Sequence, residues 1–144
     1  MIAVDTNILV YAHRADTEWH QAAERAVAGL AEGSAEWAIP WPCLHEFLAI
    51  VTHPRIFKTP TPPKLAFGQV EAWLESPSLV VLPENDEYFA ALRAASLESR
   101  VTGARLHDAH VAALCVSHGI GELWTADRDF SLFAAIKMRN PLAG

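Results

Sequence analysis

Only two cysteines, Cys43 and Cys115, occur in the 144 residues. They supply neither a disulfide framework nor a CxxC pair for zinc, which points to a reducing compartment. No apolar run approaches the ~18 residues that a membrane helix needs; the longest candidates, such as Phe47–Val51, are core-sized. The opening Met1-Ile2-Ala3-Val4-Asp5 has no basic segment and meets an acid at once, so it does not read as a signal peptide. Charged residues make up only 19% against 51% apolar, which excludes general disorder. The expectation is a soluble cytoplasmic chain, residues 1–144 forming one domain, with no membrane contact.

A basic excess is missing as well. Eleven Lys and Arg face seventeen Asp and Glu, for a net charge of −6. The first 72 residues hold five basic and eight acidic groups and the rest hold six and nine, so neither half is a basic arm. A protein held on nucleic acid by many Lys/Arg–phosphate contacts is therefore excluded, though an enzyme that visits it briefly is not. Where the acids sit matters more than their number.

The chain shows no repeat, low-complexity tract or long polar linker. Ile2–Val4 reads as a strand ending in the capping residues Asp5-Thr6-Asn7, with a short buried helix over Ile8–Ala12. An amphipathic helix is expected from Thr17 to Ala31, with Trp19, Ala22, Ala23, Ala26, Val27 and Leu30 inward and Gly33 closing it. Strands follow at 36–40, 79–82 and 122–125, with a short edge strand at 135–138. Between them, helices are expected at 42–52, 64–74, 86–99 and 105–118, the last stopped by Gly119. Alternating strands and helices imply an α/β fold: a mainly parallel central sheet of four to five strands with helices on both faces.

In such sheets the working crevice lies beyond the carboxyl ends of the strands. Asp5 follows the first strand, and Asp127 and Asp129 follow the strand at 122–125. Glu46 interrupts an otherwise apolar helix, where a carboxylate finds few partners, and Asp108 opens an alanine-rich one. Taken singly, Asp5, Asp127 and Asp129 also read as helix caps, Asp108 as a dipole partner and Glu46 as half of a salt bridge. Together they read differently, because carboxylates crowded on one rim repel and are costly to bury unpaired. A hard divalent cation removes both problems, and oxygen-only donors suit Mg²⁺ or Mn²⁺. Metal-assisted phosphodiester hydrolysis is the chemistry this pattern suggests.

The opening Met1–Ala12 block, the Glu46 helix, Leu106-His107-Asp108-Ala109-His110-Val111-Ala112-Ala113 and Leu123-Trp124-Thr125-Ala126-Asp127-Arg128-Asp129-Phe130 resemble the PIN-domain family. The closest subgroup is the VapC-type toxins of toxin–antitoxin operons. The resemblance spans nearly the whole chain in order; its first and last blocks are the more specific. It implies a PIN-like nuclease domain acting as a Mg²⁺- or Mn²⁺-dependent endoribonuclease on RNA, silenced by a cognate antitoxin and leaving a 5′-phosphate and a 3′-hydroxyl. It assigns Asp5, Glu46, Asp108 and Asp127 to the acidic, metal-binding quartet, Asp129 as an auxiliary acid, and Thr6 and Thr125 as orienting hydroxyls. Of the four, Asp5 and Asp127 read as direct ligands, each ending a strand. Glu46 and Asp108 read as acting through water or a second metal position.

Two acid-free windows flank quartet members: 47–70, with Arg55, Lys58 and Lys64, and 99–107, with Arg100 and Arg105. These five are candidate contacts to RNA phosphates, or solvated loop charges. His107 and His110 flank Asp108 at zinc-like spacing but lack a third ligand. His45 reads as a hydrogen-bond partner of Glu46. The five tryptophans read as core or interface, with a base-stacking role conceivable for Trp41. A mean hydropathy of +0.13 suggests apolar surface covered by a homodimer and an antitoxin segment. The rivals are a PIN-like RNA-processing nuclease outside toxin–antitoxin systems, a non-catalytic RNA- or partner-binding scaffold, and phosphatase or receiver domains. The phosphatase wants an acid where Asn7 stands, and the receiver wants an acidic pair before Asp5.

Overall fold

The strands are short, and the first two halt directly at the residues that cap or begin the next helix. The computed structural model describes residues 1–143. Its elements are β1 (Ile2–Val4), α1 (Thr6–His13), α2 (His20–Glu32), β2 (Trp37–Pro40), α3 (Trp41–Val51) and α4 (Pro63–Leu74). They continue as β3 (Leu79–Leu82), α5 (Tyr88–Ser99), α6 (Leu106–Ser117), β4 (Glu122–Trp124) and β5 (Lys137–Arg139). Short 3₁₀ turns occupy Gly103–Arg105 and Arg128–Leu132.

The five strands form one sheet in the order β3-β2-β1-β4-β5, every pair parallel. The expected sheet is thus present in its five-stranded, fully parallel form. The connections from β1 to β2 and β2 to β3 step one way and carry α1–α4, whereas β3 to β4 returns across the sheet with α5 and α6. Right-handed crossovers put these two sets on opposite faces. Consistently, α1 packs on α2 and α3, α3 packs on α4, and α5 pairs with α6. The core between them is Val4, Trp37, Ile39, Leu44, Phe47, Leu114 and Leu123, all inaccessible or nearly so. Among the described residues no helix is long and apolar enough to cross a membrane.

Of the boundaries that differ from expectation, two do so for clear local reasons. Residues 14–17 close a turn of their own, with the Thr17 hydroxyl donating to the Arg14 carbonyl at 2.7 Å. The helix α2 therefore starts at His20, and Trp19 is exposed at its cap instead of joining Ala23 and Val27 inside. At the far edge, the Ile136 N–H closes a turn onto Phe133, so β5 begins at Lys137 and not at Ala135. Gly33 is needed for close approach: a Cβ there would lie 2.9 Å from the Gly29 carbonyl oxygen. Gly119 ends α6 with φ +72°, as a left-handed cap requires.

The proline-rich stretch after α3 is pinned to the end of α1. The Arg14 guanidinium stacks 4.1 Å from the Phe57 ring centroid and donates to the Thr61 hydroxyl at 3.2 Å. Beside it, the Phe47 ring contacts His13 and Trp73 edge-on at centroid distances of 5.3 and 4.9 Å, joining α1, α3 and α4. Phe47→Ala should cost about 3–5 kcal/mol through the cavity it leaves, measured by urea unfolding.

Candidate active site

The sheet's direction of growth reverses between β1 and β4, and side chains from both ends meet there. Register does the placing. Val4 pairs with Trp124, so the next residues, Asp5 and Thr125, lie side by side. The Asp5 N–H carries the ladder one step further, donating to the Trp124 carbonyl at 2.9 Å.

Asp5 caps α1 and is also the most enclosed acid of the rim, 6% exposed. Its Oδ1 accepts from the Thr6 N–H at 2.8 Å and from the Cys43 thiol at 3.5 Å. Its Oδ2 accepts from the Thr125 hydroxyl at 2.8 Å and the Asn7 amide at 3.2 Å. Burial pushes its carboxyl up to about 6 despite these donors, and nearby Glu46 pushes the same way. The Cys43 thiol is raised well above its usual range, first by burial and then by Asp5, so it stays protonated and donates.

Thr125 is fully buried and is the hub of the network. Besides donating to Asp5 it accepts from the Asn7 amide at 3.1 Å and from the Asp127 N–H at 3.0 Å. The Asn7 Oδ1 in turn accepts from the Ala126 N–H at 3.0 Å. Asp5 and Asp127 are thereby brought to one rim, tied through a single hydroxyl. Asn7 and Cys43 are the residues that sequence reasoning missed. Asn7 was visible only as a capping residue, and nothing about Cys43 signalled its place beside Asp5.

The other acids approach from the helices. Thr6 donates to Glu46 at 3.4 Å, linking that carboxylate to the start of α1. Glu46 is exposed, so the expectation of a carboxylate stranded in a core helix is corrected. It sits on the open side of α3, while Cys43, Leu44 and Phe47 carry the buried face. Asp108 is half-buried in the first turn of α6. Burial raises its carboxyl most, then repulsion from Asp127 and Asp129; Arg105 opposes this and Glu46 adds to it. Asp127 caps the following turn through the Asp129 N–H at 2.9 Å.

A cleft of about 740 Å³ opens between α3 and α6. Glu46 and Asp108 are on its walls with Trp41, His45, His107 and His110. Arg105 pairs with Asp129 at 3.4 Å, so two expected site residues partly neutralise each other. Arg105 and Arg100 line an adjoining cleft that shares Ala104 with the first. Arg55, Lys58 and Lys64 line neither. His110 is engaged by Glu84 at 2.9 Å, which leaves the zinc spacing without support, and no hydrogen bond joins His45 to Glu46 among the described residues.

The donors present suit a hard cation. They are carboxylate and hydroxyl oxygens, and no Lys or Arg forms an ion pair with Asp5, Glu46, Asp108 or Asp127 among the described residues. As the side chains stand, no three His, Cys, Asp or Glu groups among the described residues are drawn together closely enough to hold an ion. Ligation by one or two carboxylates completed with water, the usual habit of Mg²⁺, fits this looser arrangement.

Two substitutions test the network in the metal-free protein. Thr125→Val keeps the shape but takes a donor from Asp5 and leaves the Asp127 N–H without an acceptor, costing about 2–4 kcal/mol, whereas Thr125→Ser should cost under half of that by urea unfolding. Asp5 binds its proton more tightly folded than unfolded, so its stabilising contribution is complete below pH about 4 and is lost as pH rises through about 6. Asp5→Asn removes this pH dependence, so the stability difference between variant and wild type should move in the variant's favour by about 1–2 kcal/mol between pH 4 and pH 7.5.

The family model for the PIN domain matches residues 2–136. Ribonuclease VapC43 of Mycobacterium tuberculosis is 34% identical over 144 residues, covering 100% of this chain and 97% of its own. Among solved structures, M. tuberculosis VapC20, described as a sarcin-ricin loop cleaving toxin, matches with a TM-score of 0.66 at 20% identity, covering 95% of this chain and 99% of that one. A toxin–antitoxin complex from Klebsiella pneumoniae gives 0.62 at 18% identity and covers 98% of each chain. With its strand-end carboxylates in place and a family match running over nearly its full length, the chain belongs to the PIN-domain family.

Proposed function

We propose that this chain is a Mg²⁺- or Mn²⁺-dependent endoribonuclease and the toxin half of a toxin–antitoxin pair. One observation carries the reading. A buried carboxylate, Asp5, sits without a cationic partner on the same rim as Glu46, Asp108 and Asp127, joined to Glu46 through Thr6 and to Asp127 through Thr125. A relative named as a ribonuclease, 34% identical over the full chain, supports RNA as the substrate. A structural neighbour solved as a toxin–antitoxin complex supports an antitoxin as the partner.

Asp5 and Asp127 would hold the cation, since each is fixed by backbone N–H groups at the end of a strand. When bound, the ion supplies Lewis acidity to a phosphoryl oxygen and acidifies water beside it. Glu46 and Asp108 face the cleft, and Asp108, its carboxyl raised, is the better placed to take a proton from the attacking water. Thr6 orients Glu46, and Thr125 orients Asp5. Asp129 keeps Arg105 at the rim, where the guanidinium can turn to a phosphate of the strand. Arg100 lies beside it, while Arg55, Lys58 and Lys64 serve at most an outer stretch of RNA. Exposed Phe89 and Leu97 on α5 and Leu65 and Phe67 on α4 are apolar surface that a second copy and an antitoxin segment would cover.

The test incubates purified protein with RNA in Mg²⁺, Mn²⁺ or EDTA. Cleavage should require the cation and fall at least about 100-fold in Asp5→Asn; cleavage that persists in EDTA or in the variant defeats the proposal. Either cation should also raise the melting temperature at pH 7.5. The rise should shrink toward pH 5, because protons compete for Asp5, which titrates near 6.

A further inference from the structure

We infer that Trp41 is a stacking platform for an unpaired RNA base beside the scissile phosphate. The inference deepens the nuclease reading and rests on it for the identity of the scissile bond. Trp37 and Trp73 are buried, yet Trp41 leaves 48% of its surface in water at the first position of α3. Its place on the helix is specific. Trp41, His45 and Ala49 follow one another at intervals of four and form one stripe; Pro42 and Glu46 form the next. All five face the same cleft, and Ala104, His107, Asp108 and Val111 form the wall opposite. The indole therefore shares a wall with one proposed catalytic carboxylate and looks across at the other.

Charge selects what can lie against it. Among the described residues no Lys or Arg lines this cleft; its carboxylates are Glu46, Asp108 and Glu84, beside the imidazoles of His45, His107 and His110. Away from a bound cation these carboxylates repel a backbone phosphate, whereas the uncharged ring of a nucleotide is not repelled. A volume of about 740 Å³ accommodates such a ring with its sugar. The adjoining cleft of about 480 Å³, lined by Arg100 and Arg105, offers the phosphates a separate place. A strand crossing between the two at Ala104 presents a base to Trp41 and its backbone to the arginines. In an A-form duplex each base is already stacked on both faces, so a paired strand has none to offer. Stacking on an aromatic ring tolerates any base, so the platform selects unpaired structure and not sequence.

Binding separates this inference from the nuclease reading. Labelled oligoribonucleotides are titrated with the full chain at low ionic strength, in EDTA and again in Ca²⁺, using wild type, Trp41→Phe and Trp41→Ala. Trp41→Ala should bind an unpaired strand about tenfold or more weakly, Trp41→Phe should retain most of the affinity, and binding to a perfect duplex should not change. In a series of strands each carrying one abasic nucleotide, one position should erase the difference between wild type and Trp41→Ala. Equal melting temperatures would show the fold intact. Wild-type affinity in Trp41→Ala, an equal loss on duplex and single strand, or no such abasic position overturns the inference; Trp41 would then belong to a protein contact. A chain that cuts no RNA but binds it through Trp41 defeats the nuclease reading alone. A chain that cuts RNA with Trp41→Ala binding and cleaving as wild type defeats this inference alone.

Discussion

The hydroxyl of Thr125 is the point on which the rim depends. Among the described residues it is the only side-chain oxygen that contacts the end of β1, the start of α1 and the loop after β4 at once, and it does so from complete burial. A hydroxyl suits the task because it donates once and accepts twice. Parallel register makes the contact possible, since pairing Val4 with Trp124 leaves Asp5 and Thr125 abreast where the ladder ends. The sheet order then puts this pair at the one crevice from which helices depart to both faces.

Around that fixed point the charges are graded. Asp5 is enclosed and held by four donors, Asp127 and Asp108 are half-buried, and Glu46 and Asp129 reach solvent. Of these five acids only Asp129, at the outside, has an arginine partner among the described residues. The field thus grows more negative inward, the reverse of what would favour an empty fold and the direction that draws a small cation in. Without a cation the same gradient would repel phosphate, and in the proposed reading the arginines of the adjoining cleft would meet the strand instead.

Much of this was legible in the sequence, for identifiable reasons. The strand at 79–82 and a mainly parallel sheet followed from short apolar runs alternating with helices, and the rim positions of Asp5 and Asp127 from their place after strands. Glu46 stands out in the sequence for a reason the fold does not share. Its apolar surroundings read as a segment buried all round, whereas α3 buries only the stripe of Cys43, Leu44, Phe47 and Val51. Arg55, Lys58 and Lys64 are near Glu46 in sequence but line neither cleft, since α3 carries the chain away from the rim and Arg14 pins the proline-rich stretch to the far end of α1. The bridging role of Asn7 and the donation from Cys43 arise from contacts across 118 and 38 residues, which no local pattern encodes.

The thiol of Cys43 has one consequence beyond its hydrogen bond. Its raised titration, with Cys115 pushed up to about 12 by burial, leaves the chain almost no thiolate at neutral pH. Thiolate is the species that peroxides and electrophiles attack. A PIN domain built this way offers no ready thiolate while folded, and Cys43 keeps its proton for Asp5.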